Sequence, residues 1–232
     1  IVMFNWTPNF TEVLYEGAFV EFPAFEPECN TDPSWGVNPD ALYDCGNPAG
    51  AYLKIGVNSE FPAKWPNAYG VVQNINFQNS DLAEMALYVD LDGMEPEDAA
   101  SAWLADHCDR WTGWSGADAS ACPAAPVAAE DSTDPIRMPI HNWSSQIAGA
   151  YIMAAILESA GATTELIPSD STLVYTAMCE GDMELVHEVW ESSFGPAFEE
   201  RVAEGCVIDA VTHDTKTREE WWYPAHTADH CP

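Results

Sequence analysis

Basic residues are scarce in this sequence. Seven Lys and Arg stand against 38 Asp and Glu, which gives a formal net charge of −31 at pH 7. The few cations, such as Lys54, Arg110, Arg137 and Arg201, are scattered along the chain. A surface of this kind repels nucleic acid and anionic lipid, and it attracts cationic or zwitterionic solutes. The charge balance therefore excludes a phosphate-binding surface and favours a small partner that carries positive charge.

Long apolar runs are also missing. The longest candidate, from Ile147 to Leu157, is shorter than the roughly 20 residues that a membrane-spanning helix needs, so we expect no membrane insertion. The chain nevertheless contains 47% hydrophobic residues and ten Trp, a composition that does not fit a disordered protein. Its 232 residues are enough for one large domain or two small lobes. We therefore expect a soluble, globular protein.

No CxxC pair occurs among the seven cysteines, which favours an oxidising compartment over a metal site. Cys29 and Cys45 bracket a stretch rich in Pro, Asn, Asp and Gly that shows neither a helical nor a strand period. Such a loop gains stability when it is closed covalently, so these two residues are the best candidates for a disulfide. Buried free thiols are the alternative, and the pairing of the other five cysteines stays open.

Catalytic motifs are absent as well. The segment 113–116 lacks the spacing of a GxSxG nucleophile elbow, and we predict no catalytic residue.

His226 and His230 stand four residues apart next to Cys231, but the glutamate of an HExxH zinc motif is missing. Ordinary polar loop histidines explain that pair better than a zinc site does. The run 90–93 resembles the start of a calcium loop, although helix capping explains it more simply.

The loop between Cys29 and Cys45 is rich in hard oxygen donors, the ligands that calcium prefers. A solvated acidic loop is the alternative interpretation. If the loop does hold calcium, the candidate ligands are its acidic and amide side chains, Asp32, Asn38, Asp40 and Asp44.

The stretch 113–135 is rich in Ala and Pro and has no periodicity, so we interpret it as a linker between two structured halves. After it, short strand-like runs alternate with helical patterns. This alternation predicts an α/β fold with a mostly parallel sheet. Before it, a strand at Ile1 to Phe4 and two helices are predicted, one capped by Ser80 and one beginning at Pro96.

Several Trp residues lie where a predicted strand passes into a loop. In open α/β sheets ligands bind at the carboxyl ends of the strands, so these rings are expected to converge on one cleft. For any one of them, packing in the core is the alternative, and core packing is favoured for Trp35, Trp65, Trp103, Trp111 and Trp114. The candidates for the cleft are Trp6, Trp143, Trp190 and one of the adjacent pair Trp221 and Trp222.

A cluster of indoles suits one class of ligand particularly well. A fully methylated ammonium group has no N–H to donate, so a protein holds it with aromatic faces, each worth roughly 0.5 to 2 kcal/mol. The cluster therefore predicts a binding site for a methylated amine.

Three segments carry a resemblance to a known family: 139–146 (PIHNWSSQ), 181–190 (GDMELVHEVW) and 4–8 (FNWTP). They resemble the glycine betaine/choline-type substrate-binding proteins of ABC transporters. Within that family, 38–46 and 221–232 are most similar to members that bind trimethylamine N-oxide.

This resemblance implies a periplasmic binding protein fold of type II, in which two α/β lobes enclose a ligand cleft. It assigns the aromatic cage to Trp6, Trp143, Trp190 and Trp222. It also implies a structural calcium ion, a periplasmic location, a monomeric state and a membrane permease as partner. The expected ligand is trimethylamine N-oxide, followed by glycine betaine or choline. The scarcity of Lys and Arg near the cage disfavours the carboxylate of glycine betaine, whereas His141 and Asn142 are possible donors to an N-oxide.

The order of the segments departs from that of the family. Relative to the family the sequence is permuted, and part of the second lobe, including an acidic residue expected to contact the ligand's oxygen, has no counterpart. We assign 1–112 to a second-lobe strand and loops that return to first-lobe helices, 113–135 to the linker, 136–220 to the first-lobe core and 221–232 to the entry of the second lobe. An enzyme acting on methylated amines is the rival hypothesis, and an adhesion role is third.

Overall fold

The computed structural model describes residues 1–38, 40, 42, 44–118, 120, 122 and 131–229. Its strands are β1 (Met3–Thr7), β2 (Gly17–Phe19), β3 (Ala51–Asn58), β4 (Ile136–Ile140), β5 (Thr164–Pro168), β6 (Leu185–Trp190) and β7 (Val207–Pro224). Its helices are α1 (Thr11–Leu14), α2 (Phe61–Lys64), α3 (Pro66–Val72), α4 (Asn79–Asp90), α5 (Pro96–Asp106), α6 (Cys108–Ser115), α7 (Ser144–Ser159), α8 (Val174–Glu180), α9 (Glu191–Glu204) and α10 (Ala225–Ala228).

The central sheet has the order β6, β3, β7, β1, and β2 also pairs with β7. Strands β4 and β5 form a parallel pair beside it, and the backbone N–H of Glu184 links them to the start of β6 by donating to the carbonyl of Arg137 at 2.9 Å. Strand β3 runs antiparallel to both of its neighbours, β6 and β7. The expected α/β fold is therefore present. The expectation of mostly parallel pairing is wrong, because the central strand β3 runs opposite to both β6 and β7.

Strand β7 is long because it serves two parts of the sheet. Its first part, residues 207–217, pairs with β3, and its last part, residues 218–224, pairs with β1 and β2. The last part of β7 therefore extends beyond its pairing with β3, and β1 pairs with this extension. The two strands β1 and β7 form one wall of the site described below.

Helices cover both faces of the sheet. Helix α7 is apolar almost all round and packs against α4, α5 and α6 on one side. A separate cluster lies on the opposite face, beneath α8 and α9, and contains Val174, Tyr175, Met178, Met183, Val186, Val189, Phe198 and Val207. The sheet is therefore buried on both faces, as the α/β pattern in the second half of the sequence predicts.

Several predicted elements are confirmed within a few residues. Helix α5 begins at Pro96 as expected, and α4 spans the helix predicted from Ser80. Helix α7 ends just before Gly161, whose φ of 92° is the left-handed conformation typical of a helix end. The first strand lies two residues later than predicted, at Met3–Thr7. Strand β7 and helix α9 were not predicted.

The predicted disulfide between Cys29 and Cys45 is confirmed. Two further disulfides join Cys108 to Cys122 and Cys179 to Cys206, which resolves pairings that the sequence left open. Cys231 lies outside the described residues.

The predicted linker at 113–135 overlaps α6, which continues to Ser115, and much of its remainder is outside the described residues. The division into domains stays a prediction. In the part of the chain that the structure describes, no helix combines the length and the apolar character needed to cross a membrane.

Candidate ligand-binding site

A cavity of about 160 Å³ opens where β1 and β7 meet the ends of β4 and β6. Pockets for drug-sized ligands measure roughly 300–1,000 Å³, so this one suits a ligand of only a few heavy atoms. Its lining is mostly aromatic and consists of Trp6, Trp143, Trp190, Ser193, Phe194 and Glu219. Three of the four indoles predicted for the cleft thus line one cavity.

The three indoles reach the cavity from different elements. Trp143 lies at the junction between β4 and α7, and Trp190 ends β6 at the start of α9. Trp6 projects from β1, which pairs with the distal part of β7. The first two positions are carboxyl ends of strands, where ligands bind in open α/β sheets. The cavity therefore has one wall from the body of the sheet and a second wall from the β1 and β7 extension.

A buried carboxylate ties two of the indoles together. The Oε2 atom of Glu188 accepts hydrogen bonds from the Nε1 atoms of Trp143, at 2.6 Å, and Trp190, at 2.9 Å. The hydroxyl of Ser145, in the first turn of α7, donates to the same oxygen at 3.3 Å. Because Glu188 is only 2% exposed, these bonds lie in a dry environment. They fix the orientation of both rings.

A β-bulge explains why Glu188 reaches this side of the sheet. Lys54 pairs with Val189 and Gly56 with Val186. The segment of β6 between these two pairs therefore contains one residue more than the facing segment of β3. Glu188 and Trp190 share a face because they are two residues apart on the strand. The extra residue lets Val186 and Val189, three residues apart, both pack in the cluster on the opposite face, so that Glu188 lies on the other side of the sheet from Val186. Bulges commonly redirect side chains beside functional sites.

Burial raises the pKa of Glu188 to about 6, although the hydrogen bonds from Trp190, Trp143 and Ser145 act in the opposite direction. The group is therefore mainly ionised at neutral pH. Trp143 is further held between two rings, with centroids 5.1 Å from His141 and 5.8 Å from Phe194. This packing presents a fixed aromatic surface to the cavity.

The second wall carries a second acid. Glu219 on β7 lies directly opposite Trp6 on β1, and its Oε1 accepts a hydrogen bond from the Ser193 hydroxyl at 2.5 Å. Its Oε2 is buried and has no partner among the described residues. Burial raises the pKa of this carboxyl above its ordinary value. The residues that line the cavity therefore include a buried acid with one oxygen that has no hydrogen-bond partner among the described residues.

The structure does not bring Trp222 to this cavity. Trp222 pairs with Met3, is 2% exposed and lines a different cavity together with Tyr15 and His226. Side chains alternate between the two faces of a strand, so Trp221, two residues after Glu219, lies on the same face of β7 as Glu219. Trp221 is 49% exposed and makes an edge contact with Phe4.

The predicted polar donors occupy other positions. His141 is buried, and its Nδ1 donates to the carbonyl of Ser169 at 2.9 Å, while Asn142 is exposed. Burial lowers the pKa of His141, which keeps its ring neutral at pH 7. His141 thus supports Trp143 and the backbone and does not line the cavity.

The core assignments hold for three Trp residues, because Trp65, Trp103 and Trp111 are at most 2% exposed. Trp114 is partly buried and also packs against this core, in contact with Trp103 and Phe77. Trp35 is partly exposed and donates to Glu26, just before the acidic loop. His226 is exposed, whereas His230 and Cys231 lie outside the described residues, so the weak zinc candidate cannot be placed.

The acidic side chains proposed for calcium mainly stabilise their own loop. Asp32 accepts bonds from the backbone and hydroxyl of Ser34, and Asp44 accepts from the backbone N–H groups of Val37 and Asn38. The N–H of Asp40 donates to the Asn38 side chain. Among the described residues, the clusters of three potential ligand atoms within 4.8 Å do not include these acids. Calcium binding by this loop therefore stays a prediction.

Sequence reasoning missed four residues of the site. Glu188 had one detectable signal, an acid inside an otherwise apolar strand run two residues before a Trp. Ser193 and Phe194 lie in the first turn of an unpredicted helix, α9, and Glu219 lies in an unpredicted strand.

A small aromatic cavity at the strand ends of an α/β sheet is the architecture of a ligand-binding site. Comparison with known families gives the particular class. Residues 1–106 and 134–232 match the model of the substrate-binding domain of ABC-type glycine betaine transport systems. The chain belongs to this family. The α/β binding-protein fold and the expectation of a binding protein, not an enzyme, are thereby confirmed.

Two curated relatives agree with this assignment. The trimethylamine N-oxide-binding protein of Pelagibacter ubique (strain HTCC1062) is 42% identical over 106 residues, which are 45% of this chain and 34% of that protein. The glycine betaine/carnitine transport binding protein GbuC of Listeria monocytogenes serotype 1/2a (strain 10403S) is 24% identical over 161 residues, or 69% of this chain and 43% of that protein. The chain therefore spans less than half the length of these relatives.

Among solved structures, NikA from Brucella suis in complex with Fe(III)-EDTA is similar at 10% identity and a TM-score of 0.36. The match covers 76% of this chain and 47% of NikA.

Proposed function

We propose that this protein captures a small methylated amine, with trimethylamine N-oxide as the first candidate, for an ABC importer. The observation that carries the proposal is the convergence of Trp6, Trp143 and Trp190 on one small cavity. Aromatic faces attract a methylated ammonium group by cation–π interaction and by apolar contact, and neither requires an N–H on the ligand. Phe194, stacked on Trp143, supplies a further ring.

The polar group in the cavity favours an N-oxide or an alcohol over a carboxylate. Among the described residues that line the cavity there is no Lys or Arg to pair with a carboxylate, whereas Glu219 has a carboxyl oxygen without a hydrogen-bond partner. Burial raises the pKa of Glu219, which favours its protonated form. A protonated carboxyl donates one hydrogen bond, which matches the single oxygen of trimethylamine N-oxide and leaves the second oxygen of the glycine betaine carboxylate unpaired. The similarity to the Pelagibacter protein supports the same ligand.

The identity of a fourth ring is part of the proposal. The resemblance assigns Trp222, but the register of β1 and β7 gives Trp221 the face that Trp6 and Glu219 occupy. A ligand enclosed against this wall would meet Trp221 before Trp222. We therefore include Trp221 as the candidate fourth ring.

The partner and the location follow from the proposed role. A membrane permease would receive the ligand, and the three disulfides support an extracytoplasmic, oxidising location such as the periplasm. A monomer that closes around its ligand would suffice for delivery. Calcium binding by the acidic loop stays a prediction.

Isothermal titration calorimetry tests the proposal. Folded protein is titrated with trimethylamine N-oxide, choline and glycine betaine, and we expect saturable heat with trimethylamine N-oxide and the weakest response with glycine betaine. The absence of heat with all three ligands would refute the proposed function. Tighter binding of glycine betaine than of the other two would refute the role given to Glu219.

A further inference from the structure

We propose that the buried carboxylate of Glu188 is a specificity-determining group of the site: it aligns the indoles of Trp143 and Trp190 and gives their faces a preference for a ligand with a positively charged, methylated nitrogen. This inference rests on the proposed function, because it concerns how the same cavity selects its ligand. Glu188 does not line the cavity and acts through the two rings.

The first step is geometric. One oxygen, Oε2 of Glu188, accepts from the indole N–H groups of both Trp143 and Trp190. The rings come from different elements, the junction between β4 and α7 and the end of β6, and would otherwise be positioned only by packing. A shared acceptor holds both planes in one relative orientation. The hydroxyl of Ser145 helps to hold the carboxylate in place.

The second step is electrostatic. A hydrogen bond to an ionised acceptor is stronger than one to a neutral group, and it shifts electron density from the donor N–H toward the ring. The faces of an aromatic ring are already its negative regions. Two indoles that donate to an anion therefore attract a cation more strongly than two indoles that donate to backbone carbonyls.

The third step is that the charge of Glu188 is not cancelled locally. Among the described residues its hydrogen-bond partners are Trp143, Trp190 and Ser145, which are all neutral, and it takes part in no ion pair. Glu184, another buried acid near the start of the same strand, is paired with Arg137 at 2.5 Å. In a dry environment an unpaired charge acts over a longer distance than it does in water. The electric field of the Glu188 carboxylate therefore extends into the neighbouring cavity.

The test uses the variant Glu188→Gln and compares a ligand that has a formally positive nitrogen with a ligand of the same shape that has a neutral carbon in its place. Trimethylamine N-oxide and its carbon analogue tert-butanol are titrated into wild type and variant, with binding followed by NMR shifts. We expect the variant to lose about tenfold in affinity for trimethylamine N-oxide and to keep its affinity for tert-butanol. The control is Ser145→Ala, which removes a hydrogen bond but leaves the charge, and it should keep the wild-type ratio of the two affinities.

An unchanged ratio in Glu188→Gln, with wild type binding trimethylamine N-oxide, would overturn this inference alone. An equal loss of both affinities would also overturn it, because that result indicates a purely structural role. Failure of wild type to bind any methylated amine would overturn the proposed function and this inference with it.

A second variant decides the matter if Glu188→Gln does not fold. Trp143 is replaced with β-(3-benzothienyl)alanine, which keeps the bicyclic ring but has sulfur in place of the indole N–H. We expect it to lower the affinity for trimethylamine N-oxide several-fold while leaving tert-butanol binding unchanged. Unchanged affinity for both ligands would overturn the inference.

Discussion

At the scale of single residues, the Trp side chains differ in the groups to which their indole N–H atoms donate. Trp65 and Trp111 are buried in the core and donate to backbone carbonyls, those of Asp134 and Leu104. The indoles of Trp143 and Trp190 instead donate to one buried side chain at the edge of a cavity. A backbone carbonyl satisfies an indole in a packed core, whereas a buried acid is costly and is retained where it has a role.

The wall formed by β1 gives the first prediction. Trp6→Ala should weaken binding of trimethylamine N-oxide by about 1 to 2 kcal/mol, because one aromatic face of the cavity is lost. Calorimetry measures this change. The matched control is Trp222→Ala, which removes an indole from a different cavity and should leave the affinity unchanged. If Trp222→Ala weakens binding and Trp6→Ala does not, the site is not the cavity described here.

At the scale of elements, the contact between α7 and β6 holds the site together. Helix α7 carries Ser145, which bonds Glu188, and Gly149, which lies directly over His187. A Cβ atom built on Gly149 would lie 2.6 Å from the Nε2 atom of His187. The absence of a side chain at this position therefore allows the helix to approach the strand that ends in Trp190.

The second prediction follows from this close approach. Gly149→Ala should lower the free energy of unfolding by about 1 to 3 kcal/mol, because the new methyl group overlaps a fully buried ring. Gly70→Ala in α3 is the control. A Cβ there meets no atom within 4 Å, so the substitution should stabilise the protein by up to about 1 kcal/mol. Chemical denaturation of both variants checks the prediction, and equal effects in both would contradict it.

At the scale of the whole molecule, the protein buries histidines as well as acids. Desolvation, aided by the nearby His141 and His213, lowers the pKa of His187 to about 3, and desolvation lowers that of His213 to about 4. Neither ring nitrogen of His187 has a partner among the described residues. Below pH 6.5 the unfolded chain takes up protons at these positions and the folded chain does not. Each histidine therefore reduces stability as the pH falls.

The third prediction isolates this effect. His187→Leu removes one such group, so the variant should gain stability relative to wild type by about 2 kcal/mol between pH 6.5 and pH 5. Acids common to both proteins, such as Glu188, cancel in the comparison. Denaturant titrations at the two pH values measure the difference, with His226→Leu, at an exposed position, as the control. A gain that does not change with pH would contradict the assignment.

The sequence by itself determined the local features and the class of the protein. Apolar periodicity located α4 and α5, and Pro96 marked the start of α5, although the N-cap of α4 is Gln78 and not the predicted Ser80. The spacing of Cys29 and Cys45 around an irregular loop identified one disulfide. The charge of −31 indicated a cationic or zwitterionic partner, and three short motifs indicated the family that the comparison confirms. These features depend on residues close together in the chain, so no tertiary structure is needed to find them.

Only the tertiary structure decided how the site is built. The bulge on β6 sets Glu188 on the other side of the sheet from Val186, and the pairing of β1 with β7 sets Glu219 opposite Trp6 and leaves Trp222 on the other face. Side chains on a strand alternate, so a shift of one residue in register reverses which of two adjacent Trp residues faces the cavity. Register between strands about 200 residues apart is a property of the packed sheet, and no local sequence pattern encodes it.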